Sequence, residues 1–104
     1  MKMTFKEYYQ MYLSLHQNKW NRRLHVLGQL VTICYLVLSL YLIIYKSIAF
    51  IPMLVILPFV VYPFAWSGHF FIEKNKPAAF KNPLWAKASD WVMLKDIICG
   101  KIKF

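Results

Sequence analysis

The chain has 104 residues, of which 60% are hydrophobic, 18% aromatic and only 16% charged, and 13 Lys and Arg against 4 Asp and Glu leave a net charge of +9. That length holds one domain; the apolar excess excludes a disordered chain, and two Cys are too few for a disulfide-built secreted domain. An ordinary soluble domain is about 45–50% apolar and about 25% charged, so this balance reads as a small integral membrane protein.

Residues 1–25 carry Lys2, Lys6, Lys19, Arg22 and Arg23 against Glu7, for a net +4. Within them Phe5, Tyr8, Tyr9, Tyr12 and His16 fall at helical spacing. Their aromatic bodies and polar tips predict an N-terminal interfacial helix followed by a turn. No cleaved signal peptide is expected, because the first long apolar run begins only after residue 25.

Val26 to Tyr45 is an uncharged run of 20 residues. At 1.5 Å per residue it makes a helix of about 30 Å, the thickness of a bilayer core. Lys46-Ser47 interrupts it, and a second span is predicted over 48–72, with Pro52, Pro58 and Pro63 inside. Pro52 suits a first helical turn, whereas Pro58 and Pro63 each remove a backbone donor and bend the helix. In lipid such bends need neighbours that satisfy the freed carbonyls. Both flanks of this hairpin are basic, which places both termini in the cytoplasm, where anionic lipids attract them. The basic surplus flanks apolar spans, so it predicts membrane lipids and not nucleic acid as the partner.

Asn82-Pro83 is an N-cap followed by a first-turn proline. The helix it opens is predicted over 82–100, with Leu84, Trp85, Trp91, Leu94 and Ile98 making it amphipathic and interfacial. The predicted fold is therefore an all-α integral membrane protein: a transmembrane helical hairpin flanked by N- and C-terminal interfacial amphipathic helices, forming one domain over 1–104. No internal repeat or linker interrupts it. Cys34 and Cys99 are expected to be unpaired in a cytoplasm-facing protein. Two spans make a thin wall for a lipid pocket, which favours a homo-oligomer.

The three His are distributed informatively. His25 opens the first span and lies 21 residues before Lys46, while His69 lies 21 residues after Ile48. Both arms are about 32 Å long if helical, so the two imidazoles return to similar depth. A turn through Gln17 to Asn21 folds His16 back toward the same end. Glu73 is four residues after His69, on the same face of an α-helix. Ionisable groups at a membrane usually mark function. Three imidazoles and a carboxylate suit a first-row transition metal: Fe(II) with oxygen chemistry, or Zn. The plainer reading makes each His an interfacial hydrogen-bonding group, Glu73 a partner of Lys74 or Lys76, and Arg22 and Arg23 headgroup anchors. No Gly-rich phosphate loop, Cys-x-x-Cys pair or nucleophile elbow is present.

Several blocks carry a resemblance. Tyr12-x-x-x-His16, then Asn21-Arg22-Arg23-Leu24-His25-x-x-Gly28, then Ala65-Trp66-Ser67-Gly68-His69-Phe70-Phe71-Ile72-Glu73-Lys74-Asn75-Lys76-Pro77-Ala78 resemble the family of the yeast endoplasmic-reticulum 2-hydroxy fatty acid dioxygenase and its short bacterial relatives. The resemblance extends through Asn82-Pro83-Leu84-Trp85 to Asp90. It implies an Fe(II)-dependent dioxygenase that shortens a 2-hydroxy fatty acid by one carbon, with O2 as co-substrate, in a bacterial inner membrane. It implies His16, His25 and His69 as iron ligands, with Glu73 as a candidate fourth. On this reading Arg22 or Arg23 pairs with the substrate carboxylate. Tyr12, Asn21, Glu73 and Asp90 are the candidates to hold the ligands' other N–H groups, and Gly68 and Pro77 are structural. Where yeast-type members tend to have Pro early in the first span, this chain has Gln29 and Leu30. Two other functions remain open at the level of sequence: a non-enzymatic membrane scaffold or lipid-binding protein, and a Zn-dependent lipid hydrolase.

Overall fold

Thr4 starts the first helix with a reciprocal cap: its hydroxyl accepts the Glu7 N–H while the Glu7 carboxylate turns back onto the Thr4 N–H. The computed structural model describes residues 3–77 and 81–104, so Lys2 and the Ala78 of the quoted motif lie outside the described residues. Among them every regular element is helical: α1 (Phe5–Ser14), α2 (Lys19–Tyr45), a composite arm α3 (Ile48–Glu73) and α4 (Pro83–Ile98).

The predicted N-terminal turn is shorter than expected. Asn18 caps α2 by accepting the Trp20 N–H at 2.8 Å, so α2 begins at Lys19 and carries Asn21 to His25 in helical register. The polar residues before Val26 are therefore part of the long helix. The Arg22 guanidinium donates to the carbonyls of His16 (3.0 Å) and Gln17 (2.7 Å), which fixes the remaining turn.

Proline shapes α3. Short 3-10 segments at Ile48–Phe50 and Leu57–Phe59 alternate with α-helix at Met53–Ile56 and Tyr62–Ser67, and the arm ends in a π-helical turn, Gly68–Glu73. Neighbouring side chains supply donors to this irregular backbone. The Tyr35 hydroxyl donates to Met53 O at 2.9 Å, and the Lys87 ammonium to Pro58 O at 2.6 Å. A Cβ on Gly28 would lie 3.0 Å from both Phe64 Cβ and Val61 Cγ2, so glycine there lets α2 and α3 approach closely.

α4 opens at Asn82, whose side chain accepts the Trp85 N–H, and ends before Gly100, at φ +81°. It packs on α1 through an aromatic core of Tyr8, Tyr9, Tyr12, Ala86 and Met93. Its inner face also buries Ser89, Asp90 and Asp96, while Leu84, Trp91 and Ile98 remain exposed. The Tyr9 hydroxyl donates to Asp96 at 2.7 Å. Cys34 and Cys99 are free and exposed.

Two helices, Lys19–Tyr45 and Ile48–Glu73, are long and apolar enough to cross a membrane. Only 17% and 11% of their most apolar windows are buried within the chain. A core helix of a soluble protein would be covered by its own fold; these are not.

Candidate metal centre

Three elements deliver the three imidazoles. The turn after α1 holds His16, the first turns of α2 hold His25, and the π-helical end of α3 holds His69. π-helical turns are found frequently at functional sites. All three side chains are buried. One ring nitrogen from each lies within 4.8 Å of the others, and the ring centroids are 4.5, 4.5 and 5.2 Å apart.

The partners fix which nitrogen faces inward. His16 Nδ1 lies 2.6 Å from Tyr12 O, and a carbonyl only accepts, so Nδ1 carries the proton. His25 Nδ1 lies 2.9 Å from Asp90 Oδ1. His69 Nδ1 lies 2.7 Å from Asn75 Oδ1. The Asn75 amide nitrogen donates to Leu15 O at 3.1 Å, which orients its oxygen toward His69. In every case Nδ1 donates, leaving the Nε2 lone pair free to bind. His16 Nε2 and His25 Nε2 are buried without a hydrogen-bond partner among the described residues. Buried polar atoms are nearly always satisfied. Two orphaned acceptors beside a third imidazole, each ring held by an oxygen on its far side, fit a metal ion. Burial, reinforced by the neighbouring His25 and His69, pushes the His16 pKa well below 6.5, so this imidazole is neutral at pH 7, as metal binding would require.

The other candidate residues fall into place around this cluster. Tyr12 supplies the carbonyl for His16, stacks on its ring at 4.0 Å, and donates its hydroxyl to Asp90 Oδ1 at 3.0 Å. Burial and the Asp90 carboxylate raise the Tyr12 pKa well above 10.0, which keeps that hydroxyl a donor. Asp90 holds His25, and its backbone carbonyl accepts from Gln29 Nε2 at 2.7 Å. Asn21 contacts none of the three imidazoles by hydrogen bond; its amide reaches Glu73 at 3.5 Å. Gly68 leaves room for Asn21, since a Cβ there would lie 1.9 Å from Asn21 Oδ1. Pro77 is buried and lines a cavity of about 30 Å³ beside His25 and His69.

Two candidate roles find no supporting contact in the structure. Glu73 is outside the metal-capable group. Its carboxylate instead accepts the backbone N–H of Asn18 and the Asn21 amide, tying the end of α3 to the start of α2. Arg22 and Arg23 line neither the 30 Å³ cavity nor the larger one beside it. Arg22 grips the His16 turn and Lys103 O, while Arg23 reaches Phe104 O and covers the Trp20 and Phe104 rings.

Sequence reasoning missed Asn75 and Gln29 as parts of this site. Lys74, in the left-handed region at φ 57°, turns the chain so that Asn75 N–H meets His69 O at 2.9 Å and its side chain meets the ring. The signal available was an Asn three residues after Ile72, the last of the apolar run, where a helix end commonly turns through a left-handed residue.

A family model described as 2-hydroxy-palmitic acid dioxygenase Mpo1-like matches residues 2–102. No curated protein and no solved structure is similar enough to match.

Proposed function

The chain belongs to the Mpo1-like family, and from that premise we propose that it is a membrane-embedded, Fe(II)-dependent dioxygenase that shortens 2-hydroxy fatty acids by one carbon, with His16, His25 and His69 as the metal ligands. The observation that carries this reading is the pair of buried, unpartnered Nε2 atoms of His16 and His25, grouped with His69. The family description supplies the reaction class, and the three-imidazole set is compatible with Fe(II).

The reaction balances without a reductant. A 2-hydroxy acid that becomes the acid one carbon shorter plus CO2 gives up four electrons, and one O2 accepts four, ending as one carboxylate oxygen and water. Bound iron would bring O2 and the hydroxy acid together as Lewis acid and redox partner. The protein's own residues hold the imidazoles: Tyr12 O, Asp90 and Asn75 each take an Nδ1 proton, which fixes ring orientation and raises ligand basicity. Burial of the three rings keeps bulk water from the site.

In this reading α2 and α3 cross the bilayer, supported by their uncovered apolar surface. The basic flanks set both termini on the cytoplasmic side, as befits an inner-membrane protein of the short bacterial type. α1 and α4 lie at the interface, with Leu84, Trp91 and Ile98 turned to lipid.

Elemental analysis of the protein purified in detergent, beside His16→Ala, His25→Ala and His69→Ala, tests the proposal. Near-stoichiometric iron in the wild type, lost in all three variants, together with O2-dependent conversion of 2-hydroxypalmitate to pentadecanoate and CO2, is the expected result. Zinc with hydrolytic activity would replace this reading with a lipid hydrolase. Absence of metal after anaerobic iron loading would leave a scaffold.

A further inference from the structure

Beside the imidazole cluster lies a second, larger space. An apolar cavity of about 280 Å³ is lined by Ile33, Leu36, Leu57 and Trp91 among others, between α2, α3 and α4. The small cavity at His25 and His69 and this apolar one share three lining residues: Val61, Lys87 and Asp90. Lys87 thus stands where a polar site meets a hydrocarbon-like groove.

Lys87 is unusual for its surroundings. Its ammonium donates to Pro58 O at 2.6 Å and lies 5.0 Å from the Tyr62 ring centroid. The ion pair found among the described residues is His25–Asp90, so no described carboxylate lies at ion-pair distance from Lys87. A half-buried ammonium with a carbonyl and a ring but no anion keeps donor capacity in reserve. Burial pushes its pKa below 10.5, with Asp90 partly opposing. An anion delivered to it relieves a desolvation cost already present in the fold.

We propose that Lys87 binds the carboxylate of a single-chain fatty acid whose head faces His25 and His69 and whose acyl chain fills the cavity lined by Ile33, Leu36, Leu57 and Trp91. This deepens the proposed function and rests on it for the substrate class. It gives Lys87 the role that the sequence had suggested for Arg22 or Arg23, whose guanidinium groups are engaged elsewhere.

The test is photolabelling of the full-length protein in detergent with a diazirine-bearing palmitate and with its alcohol counterpart, mapped by mass spectrometry. Neither probe requires turnover, so the result stands apart from whether the dioxygenase reaction occurs. Lys87→Gln keeps a donor for Pro58 O and removes the charge; Lys87→Arg keeps the charge. The acid probe is expected to label peptides containing Ile33 to Leu36 or Leu57. Lys87→Gln is expected to reduce acid labelling at least about tenfold, the worth of one hydrogen bond to a charged group. Labelling by the alcohol is expected to be unchanged, and Lys87→Arg to retain most acid labelling. Equal loss of both probes in Lys87→Gln would make Lys87 a structural residue. Unchanged acid labelling in that variant, or labelling confined to other segments, would overturn the proposal.

Discussion

One oxygen of Asp90 joins three helices: Oδ1 lies 2.9 Å from His25 Nδ1 and accepts the Tyr12 hydroxyl at 3.0 Å. The same residue's carbonyl takes Gln29 Nε2. α4 is thereby fastened to α2 and α1 at the imidazole it orients. Asp90→Asn keeps the size and weakens the pull on the Nδ1 proton. Loss of such a partner typically lowers metal affinity by 10- to 100-fold. Chelator competition on the purified protein should show a drop of about that size, with helix content unchanged; full retention of affinity would remove Asp90 from the site.

The placement of His25 and His69 was legible because it follows from counting. Two apolar arms of equal length meet at Lys46-Ser47, so residues 21 positions from the turn on either side return to one level. The prolines of α3 were legible for a similar reason, since a missing donor is a local property. Tyr12 and Asp90 were among the candidate partners of the imidazoles, but which ring each would hold was not legible, and Asn75 was not among them. Asn75 reaches His69 only because Lys74 adopts a left-handed conformation. Asp90 reaches His25 only because α4 buries a polar face, Ser89, Asp90 and Asp96, where its leucines and tryptophans had suggested the opposite emphasis. The contacts of Glu73 were not legible either, because Asn18 and Asn21 lie far from it in sequence and meet it only once α2 packs beside the end of α3.

His16 should give the metal-free protein a distinctive acid sensitivity. In the unfolded chain its imidazole gains a proton near the ordinary value of 6.5; in the fold, burial and then the His25 and His69 imidazoles hold the pKa well below that. Between those two values the unfolded state binds more protons, so stability falls as pH falls. Well above 6.5 both states are neutral at His16, and the residue adds no pH dependence there. Thermal midpoints of the apo-protein measured from pH 7.5 to about 5 should decline for the wild type more steeply than for His16→Gln. Parallel curves for the two proteins would contradict the assignment.

Gly68 should tolerate no side chain while Asn21 stays where it is. A Cβ would lie 1.9 Å from Asn21 Oδ1 and 3.3 Å from Asn21 Cα. Asn21 is fully buried, next to the helix turn that carries His25. Overpacking a tight site costs about 1–3 kcal/mol, so Gly68→Ala should lower the thermal midpoint and reduce bound metal. Adding Asn21→Ala removes the atom that clashes, and the double variant should recover part of the loss. Strictly additive effects would show that the two residues do not meet.

Glu73 and Asn75 flank the left-handed residue that ends α3, and their roles should separate cleanly. Glu73 binds the Asn18 N–H and the Asn21 amide, so Glu73→Gln, which keeps an acceptor, should leave metal content unchanged and destabilise the α2 start by about 1 kcal/mol, within the range of a lost charge-assisted cap. Asn75 holds the His69 ring and Leu15 O at once. Asn75→Ala frees that imidazole to rotate and leaves its Nδ1 proton unpaired, so metal affinity should fall by about 10-fold or more. The measurement is metal content and chelator competition for the two variants side by side. Loss of metal in Glu73→Gln with retention in Asn75→Ala would restore Glu73 as a ligand and remove Asn75 from the support of His69.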